Sequence, residues 1–182
     1  METGLFFGSF NPIHIGHIAI ANYIVEYSSL KELWFVISPQ NPDKEQKSLL
    51  QGYHRAEMVY RAIKEFPFFR HSTIEFDMPV PSYTIDTLVR LNEKYPERKF
   101  VLIMGSDNIE TIEKWKNYQI ILSNYKIVVY PRLGFHKDKI ISHPNVTLVD
   151  APIMEISSSF IRKAIKEKKN VMGFMPYFAW QY

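Results

Sequence analysis

A chain of 182 residues with 46% apolar side chains is long enough to fold as one packed domain. Its 13 Phe, 11 Tyr and 3 Trp exclude a chain that stays unfolded, and no apolar run approaches the about 20 residues of a bilayer span. A net charge of +3 is too slight and dispersed for a nucleic-acid binder, and the lack of cysteine excludes disulfides, thiolate metal sites and thiol nucleophiles.

The chain opens with Glu2 where a signal peptide would carry positive charge, so the expected compartment is the reducing cytoplasm. Leu5-Phe6-Phe7 stops at Gly8, as a buried strand does. From Gly16 to Ser28 apolar residues recur at helical spacing, Ile20 with Ile24 and Ala21 with Val25. Leu33 to Ile37 predicts a second buried strand ended by Ser38-Pro39, and the polar, Lys-rich stretch from Gln40 to Gln51 predicts a loop. Ala56, Val59 and Ile63 stripe a helix from Tyr53 to Phe66. Thr73 to Phe76 predicts a strand, Pro79-Val80-Pro81 breaks the chain, and Thr84 reads as the N-cap of a helix of about ten residues. Phe100 to Met104 predicts a strand ending at Gly105, followed by a helix around Trp115 and a strand from Lys126 to Tyr130. A strand from Thr147 to Val149 precedes Ser157-Ser158-Ser159 and a basic helix from about Phe160, whose cations from Arg162 to Lys169 read as a solvated face.

Apolar strands alternating with helices predict a doubly wound α/β fold, Rossmann-like, with a mostly parallel sheet and helices on both faces. A single domain over residues 1–182 is expected, with the late serine motif and the C-terminal helices (about 151–182) packed on it. Ligands bind such sheets beyond the carboxyl ends of the strands, where the strand order reverses. That directs attention to Gly8–Asn11, Ser38–Asn41, Gly105–Asp107, Pro131-Arg132 and the Ser157 cluster, all small, polar or basic.

Two motifs carry chemistry. In Gly8-Ser9-Phe10-Asn11-Pro12-Ile13-His14-Ile15-Gly16-His17, the histidines share a helical face at the start of the first helix, where free amides and the dipole attract anions. Gly16 between them removes a side chain where a ligand could approach the backbone. A polyphosphate suits this arrangement. A metal site and a pair of capping histidines are the other readings, although no carboxylate or third histidine lies nearby in sequence. In Ile156-Ser157-Ser158-Ser159-Phe160-Ile161-Arg162, serines cap a helix and offer hydroxyls to an anion, while Arg162 adds a planar cation one turn in; an ordinary N-cap with a solvated arginine is the plainer reading.

Together, in this order, the motifs resemble those of the nucleotidyltransferase superfamily: His/Thr-x-Gly-His after strand one and Ile-Ser-Ser-Thr-x-Ile-Arg before a late helix. Asn11 stands where Asp is common and Ser159 where Thr is common. Within the superfamily the chain is most similar to the bacterial nicotinate-nucleotide adenylyltransferases. Ser82-Tyr83-Thr84-Ile85-Asp86-Thr87-Leu88 matches their Ser-Tyr-Thr-x-Asp-Thr-Leu, and Gly105-Ser106-Asp107 with Trp115 matches their Gly-x-Asp and downstream Trp. Pro39 to Lys44 resembles a shortened form of their Pro-rich loop, reading Pro-Asp-Lys where Pro-His-Lys is usual. The Arg-Gly often found before the Ser-Tyr-Thr segment is missing, and the tail ends slightly early.

The resemblance implies AMP transfer from ATP to nicotinate mononucleotide, with His14, His17 and Arg162 as the catalytic residues. ATP would meet Gly8, Ser9, Phe10, His14, His17, Lys44, Gly105, Asp107, Ser157, Ser158, Ser159 and Arg162. The mononucleotide would meet Asn41, Lys44, Tyr83, Thr84, Trp115 and Arg132, with Trp115 stacked on the pyridine ring and the Tyr83 and Thr84 amides receiving the carboxylate. Mg²⁺ is implied through the ATP phosphates, with no metal site built from the protein; neither membrane nor nucleic acid is an expected partner. Transfer to another phosphate acceptor (nicotinamide mononucleotide or phosphopantetheine) and a silent nucleotide-binding module are the competing readings. Aminoacyl-tRNA synthetases share His-x-Gly-His but need a Lys-Met-Ser-Lys-Ser loop and tRNA-binding regions that 182 residues cannot supply.

Overall fold

A computed structural model describes residues 1–39, 49–136 and 140–182. Among these residues six strands form one sheet: β1 (Glu2–Gly8), β2 (Glu32–Ile37), β3 (Phe69–Ser72), β4 (Lys99–Gly105), β5 (Lys126–Tyr130) and β6 (Val146–Leu148). Their order is β3-β2-β1-β4-β5-β6, and every pairing is parallel, so the sheet is wholly and not mostly parallel. The helices are α1 (Ile15–Tyr27), α2 (Gly52–Ile63), α3 (Thr84–Lys94), α4 (Ser106–Ile109), α5 (Tyr118–Asn124), α6 (Ser158–Lys166) and α7 (Tyr177–Trp180).

The sheet has two buried faces because alternate residues point to opposite sides. Phe6, Phe35 and Ile103 lie side by side in register and pack under α1, α2 and α6 through Ile24, Val59 and Ile161. Leu5, Trp34 and Leu102, one residue earlier on each strand, pack under α3 and α5 through Leu88, Leu91 and Ile121. Tail helix α7 lies on α2, where Lys64 sits 3.7 Å above the Phe178 ring and His54 Nδ1 is 2.5 Å from the Tyr182 hydroxyl. Among the described residues no helix is long and apolar enough to cross a membrane.

Three local expectations need correction. The third strand runs over Phe69–Ser72, whereas Ile74–Asp77 is a 3-10 turn. The alternation of Ile74 and Phe76 looks strand-like, but Glu75 between them is turned inward and buried by its hydrogen bonds to Ser82 and Thr87. The N-cap of α3 is Tyr83, with no side-chain cap, so Thr84 is the first helical residue. Trp115 lies on no helix. It ends the 3-10 turn Ile112–Lys114, and Asn117 at φ 53° separates it from α5 in a left-handed conformation that no helix interior contains.

Candidate active site

The strand order reverses between β1 and β4, and the loops leaving their carboxyl ends open a cleft of about 610 Å³. Gly8, Ser9, Phe10, His14, His17, Asp107, Arg132, Ser157, Ser158, Ser159 and Arg162 all line it. Residues from the chain's two ends, more than a hundred positions apart in sequence, thus meet in one place.

The imidazoles of His14 and His17 stack with centroids 3.6 Å apart and planes at 28°. The His14 amide donates to His17 Nδ1 over 3.2 Å. A neutral His17 therefore carries its proton on Nε2 and presents that nitrogen as a donor. Phe10, itself held at φ 43°, sets its ring 5.1 Å from that of His17, and Phe6 lies 6.1 Å away. These aromatic walls fix the imidazole in one orientation.

The glycines serve these rings. A Cβ on Gly8 would come within 2.8 Å of the Phe10 ring, and one on Gly16 within 3.0 Å of His14 Nδ1. The space kept open at Gly16 is thus filled by the motif's own histidine, not by a ligand. Phe10 contributes mainly core, being 2% exposed.

His14 is buried, and its Nδ1 has no hydrogen-bond partner among the described residues. Burial, with the positive charge of Arg132 adding to it, lowers its pKa to about 4. An unfolded histidine takes up a proton below about pH 6.5, whereas folded His14 waits until about 4. Its contribution to stability is therefore complete above pH 6.5 and is lost as the pH falls towards 4, by on the order of 3 kcal/mol. Denaturant melts at pH 7.5 and 4.5, compared with those of His14→Gln, check this. An NMR titration placing His14 near 6.5 would contradict it.

At the other end, Ser157 caps α6 by accepting from the Phe160 amide at 3.1 Å. Ser158 donates its hydroxyl to Pro12 O at 2.8 Å, and Arg162 donates through Nη1 to Asn11 O at 2.7 Å and through Nη2 to Ser159 Oγ at 3.2 Å. The two sequence motifs are hydrogen-bonded to each other. Ser157 and Ser159 accept in these contacts, which leaves their hydroxyl protons for a ligand, while that of Ser158 is committed to Pro12.

Across the cleft, Arg132 and Asp107 form an ion pair at 3.6 Å, and the Arg132 amide donates to Ser106 Oγ at 3.1 Å. Gly105 lies beneath this pair, since a Cβ there would fall 2.4 Å from Asp107 Oδ1. A notch of about 40 Å³ borders the cleft, sharing Phe6, Phe7, Asn108 and Tyr130 with it, and Thr84 and Trp115 line it. Tyr83 lines neither space. Its ring lies outside, 4.8 Å from the Lys116 ammonium. Asn41 and Lys44 lie outside the described residues. Among the described residues no group of three or more His, Asp or Glu is arranged to hold a metal ion.

Four residues that sequence reasoning passed over belong to this region. Asn108 and Tyr130, each near the carboxyl end of a strand, could have been found from that position alone. Arg55 and Glu75 carry no such signal. Glu75 is 2% exposed and accepts from Ser82 Oγ at 2.9 Å and Thr87 Oγ1 at 2.8 Å, fastening the segment that leads into α3. Glu75→Ala leaves both hydroxyls without this partner, at about 1–3 kcal/mol. The expected drop in thermal midpoint is several degrees, at roughly 2–4 °C per kcal/mol for a chain of this size; an unchanged midpoint would show that the segment is held by other contacts.

Residues 5–164 match the profile of the cytidylyltransferase-like family. A protein of Christiangramia forsetii named "Probable nicotinate-nucleotide adenylyltransferase" is 50% identical over 183 residues, covering 100% of this chain and 94% of its own. One of the same name from Bacteroides fragilis is 51% identical, covering 96% and 87%. In three dimensions the chain is similar to a Plasmodium falciparum nicotinic acid mononucleotide adenylyltransferase complexed with NaAD, with a TM-score of 0.82 at 22% identity, covering 100% of this chain and 93% of that one.

Proposed function

The chain belongs to the cytidylyltransferase-like family and, within it, to the nicotinate-nucleotide adenylyltransferases, and from that premise we propose that it transfers AMP from ATP to nicotinate mononucleotide, forming nicotinate adenine dinucleotide and pyrophosphate in NAD biosynthesis. The observation that carries this reading is the direct bonding of the two motifs, Arg162 to Asn11 and Ser158 to Pro12, which joins histidine, arginine and serine donors around one cleft. Such a cleft is suited to a polyphosphate.

The attacking phosphate of the mononucleotide, with a second pKa near 6, is largely dianionic at neutral pH and needs no general base. One of its oxygens bonds to the α-phosphorus of ATP as the bond to the bridging oxygen breaks, and pyrophosphate carries away the electron pair. Alignment and stabilisation of the developing charge are what remain for the protein to supply. His17 Nε2–H would donate to the α-phosphate or the bridging oxygen, with neutral His14 packed behind it. Arg162 and the Ser157 and Ser159 hydroxyls would hold the β- and γ-phosphates, with Lys44 completing the set.

Gly105 and Asp107 would face the adenosine, Asp107 exchanging its contact with Arg132 for one with the nucleotide. The pyridine ring would enter the notch beside Trp115, its carboxylate meeting the α3 amides at Tyr83 and Thr84, which as helix-start donors lack intrahelical partners. Mg²⁺ prefers a shell of oxygen ligands, which the imidazole and guanidinium groups here do not provide. It would enter with ATP, held by phosphate oxygens and water, and would neutralise part of their charge. The reaction is assigned to the cytoplasm.

Incubating the chain with ATP, Mg²⁺ and nicotinate mononucleotide should yield dinucleotide and pyrophosphate in equal amounts. ATP bound but never cleaved would instead identify a silent nucleotide-binding module.

A further inference from the structure

The largest side chain in the fully buried set is a cation. Arg55 in α2 is 1% exposed, and among the described residues it forms no ion pair with a carboxylate. Its guanidinium is bonded to four backbone carbonyls instead. Nε donates to Leu50 O at 2.9 Å, Nη1 to Ser9 O at 2.6 Å and to Ser38 O at 2.7 Å, and Nη2 to Pro39 O at 2.9 Å. Burial lowers its pKa, but arginine begins so high that the charge remains. A buried charge is tolerated only where hydrogen bonds replace its water, and the planar five-donor fork does that here for three segments at once.

Those segments are the loop after β1, the exit from β2 and the entry to α2; Ser9 in the first and Leu49 in the last line the cleft. The connections continue. The Leu50 amide donates to Asn11 Oδ1 at 3.2 Å, and Asn11 O accepts from Arg162 at 2.7 Å. Arg55 is thereby joined to Arg162 through Leu50 and Asn11, and it grips Ser9 two residues before Asn11.

We propose that Arg55 is a positioning residue for the phosphate side of the cleft: by pinning the Ser9 and Leu50 carbonyls it fixes Asn11, and through Asn11 it sets the orientation of the Arg162 guanidinium. Lysine cannot take its place. An ammonium carries the charge but has three donors at one point, and it cannot span acceptors on three segments. The proposal rests on the assignment of Arg162 to ATP, and its test is ligand affinity, which can be read without turnover.

The experiment is a double-mutant cycle with Arg55→Lys and Arg162→Ala, reading the Kd for ATP and separately for nicotinate mononucleotide by calorimetry. Arg55→Lys alone is expected to weaken ATP about tenfold, the loss of roughly one charge-assisted hydrogen bond, and to change mononucleotide affinity less than about twofold. In the Arg162→Ala background the same substitution should weaken ATP by less than about threefold, because the group it positions is gone. An equal loss in both backgrounds, an equal loss for both ligands, or no loss at all would overturn the proposal. Should Arg55→Lys unfold the chain, Asn11→Ala serves in the same cycle. It cuts the Leu50 link while keeping all four Arg55 bonds, and additivity with Arg162→Ala would again overturn the role. Failure of the acceptor reading would appear as absent turnover beside intact ATP binding, and so is distinguishable.

Discussion

Replacing His17 with alanine should lower kcat by about 10²–10³ while leaving the fold in place. The imidazole is half-buried at the start of α1, oriented by the His14 amide and by the rings of Phe6 and Phe10. A donor held this way has no reorganisation left to undergo when charge builds on the α-phosphate. Its loss should therefore fall on kcat more than on the KM for ATP, since ground-state ATP would keep its proposed contacts with Arg162 and the serines. Circular dichroism and a thermal melt would establish that the variant is folded. Arg162→Ala should lower the rate to a similar degree and also weaken ATP, because it removes both the proposed phosphate contact and the bond to Asn11. Near-normal turnover by either folded variant would refute the phosphate-site assignment.

The second large effect is acceptor choice. Nicotinate mononucleotide should be preferred over nicotinamide mononucleotide by tens to thousands in kcat/KM. The two differ only in a carboxylate against a carboxamide. In the proposed site at the start of α3 the carboxylate would accept from backbone amides and gain from the helix dipole. The carboxamide must turn its own NH₂ towards a donor, leaving groups mispaired at about 1–3 kcal/mol each, where about 1.4 kcal/mol is tenfold. Trp115, in the proposed stacking role, would meet the same ring in both, so Trp115→Ala should weaken both acceptors comparably and preserve the ratio. Equal use of the two by the unmodified chain would move the reading to a dual-specificity enzyme.

The strands of the sheet's core were legible because strands buried on both faces are apolar throughout, and Lys126–Tyr130 could be read to the residue. The two motifs that meet in the cleft were legible from their residue types and their places beside strand ends. Less could be read from Gly8 and Gly16. A glycine says that a side chain will not fit, but not whether a ligand or a neighbouring ring fills the space, and here rings do. Trp115 was placed on a helix because nothing local announces the left-handed Asn117. Arg55 and Glu75 could not be found at all. The apolar stripe of α2 gives no sign that an arginine joins it, and the partners of both residues come from segments that only the fold brings together.

The most direct measurement is pyrophosphate release from ATP with nicotinate mononucleotide by four proteins: the unmodified chain, His17→Ala, Arg162→Ala and the double variant. If both side chains act on the phosphates of one ATP in one cleft, as proposed, the double variant should lose less than the product of the two single losses, against a fast, stoichiometric release by the unmodified chain. Absence of release by the unmodified chain, or independent losses that multiply in full, would contradict a single shared phosphate site.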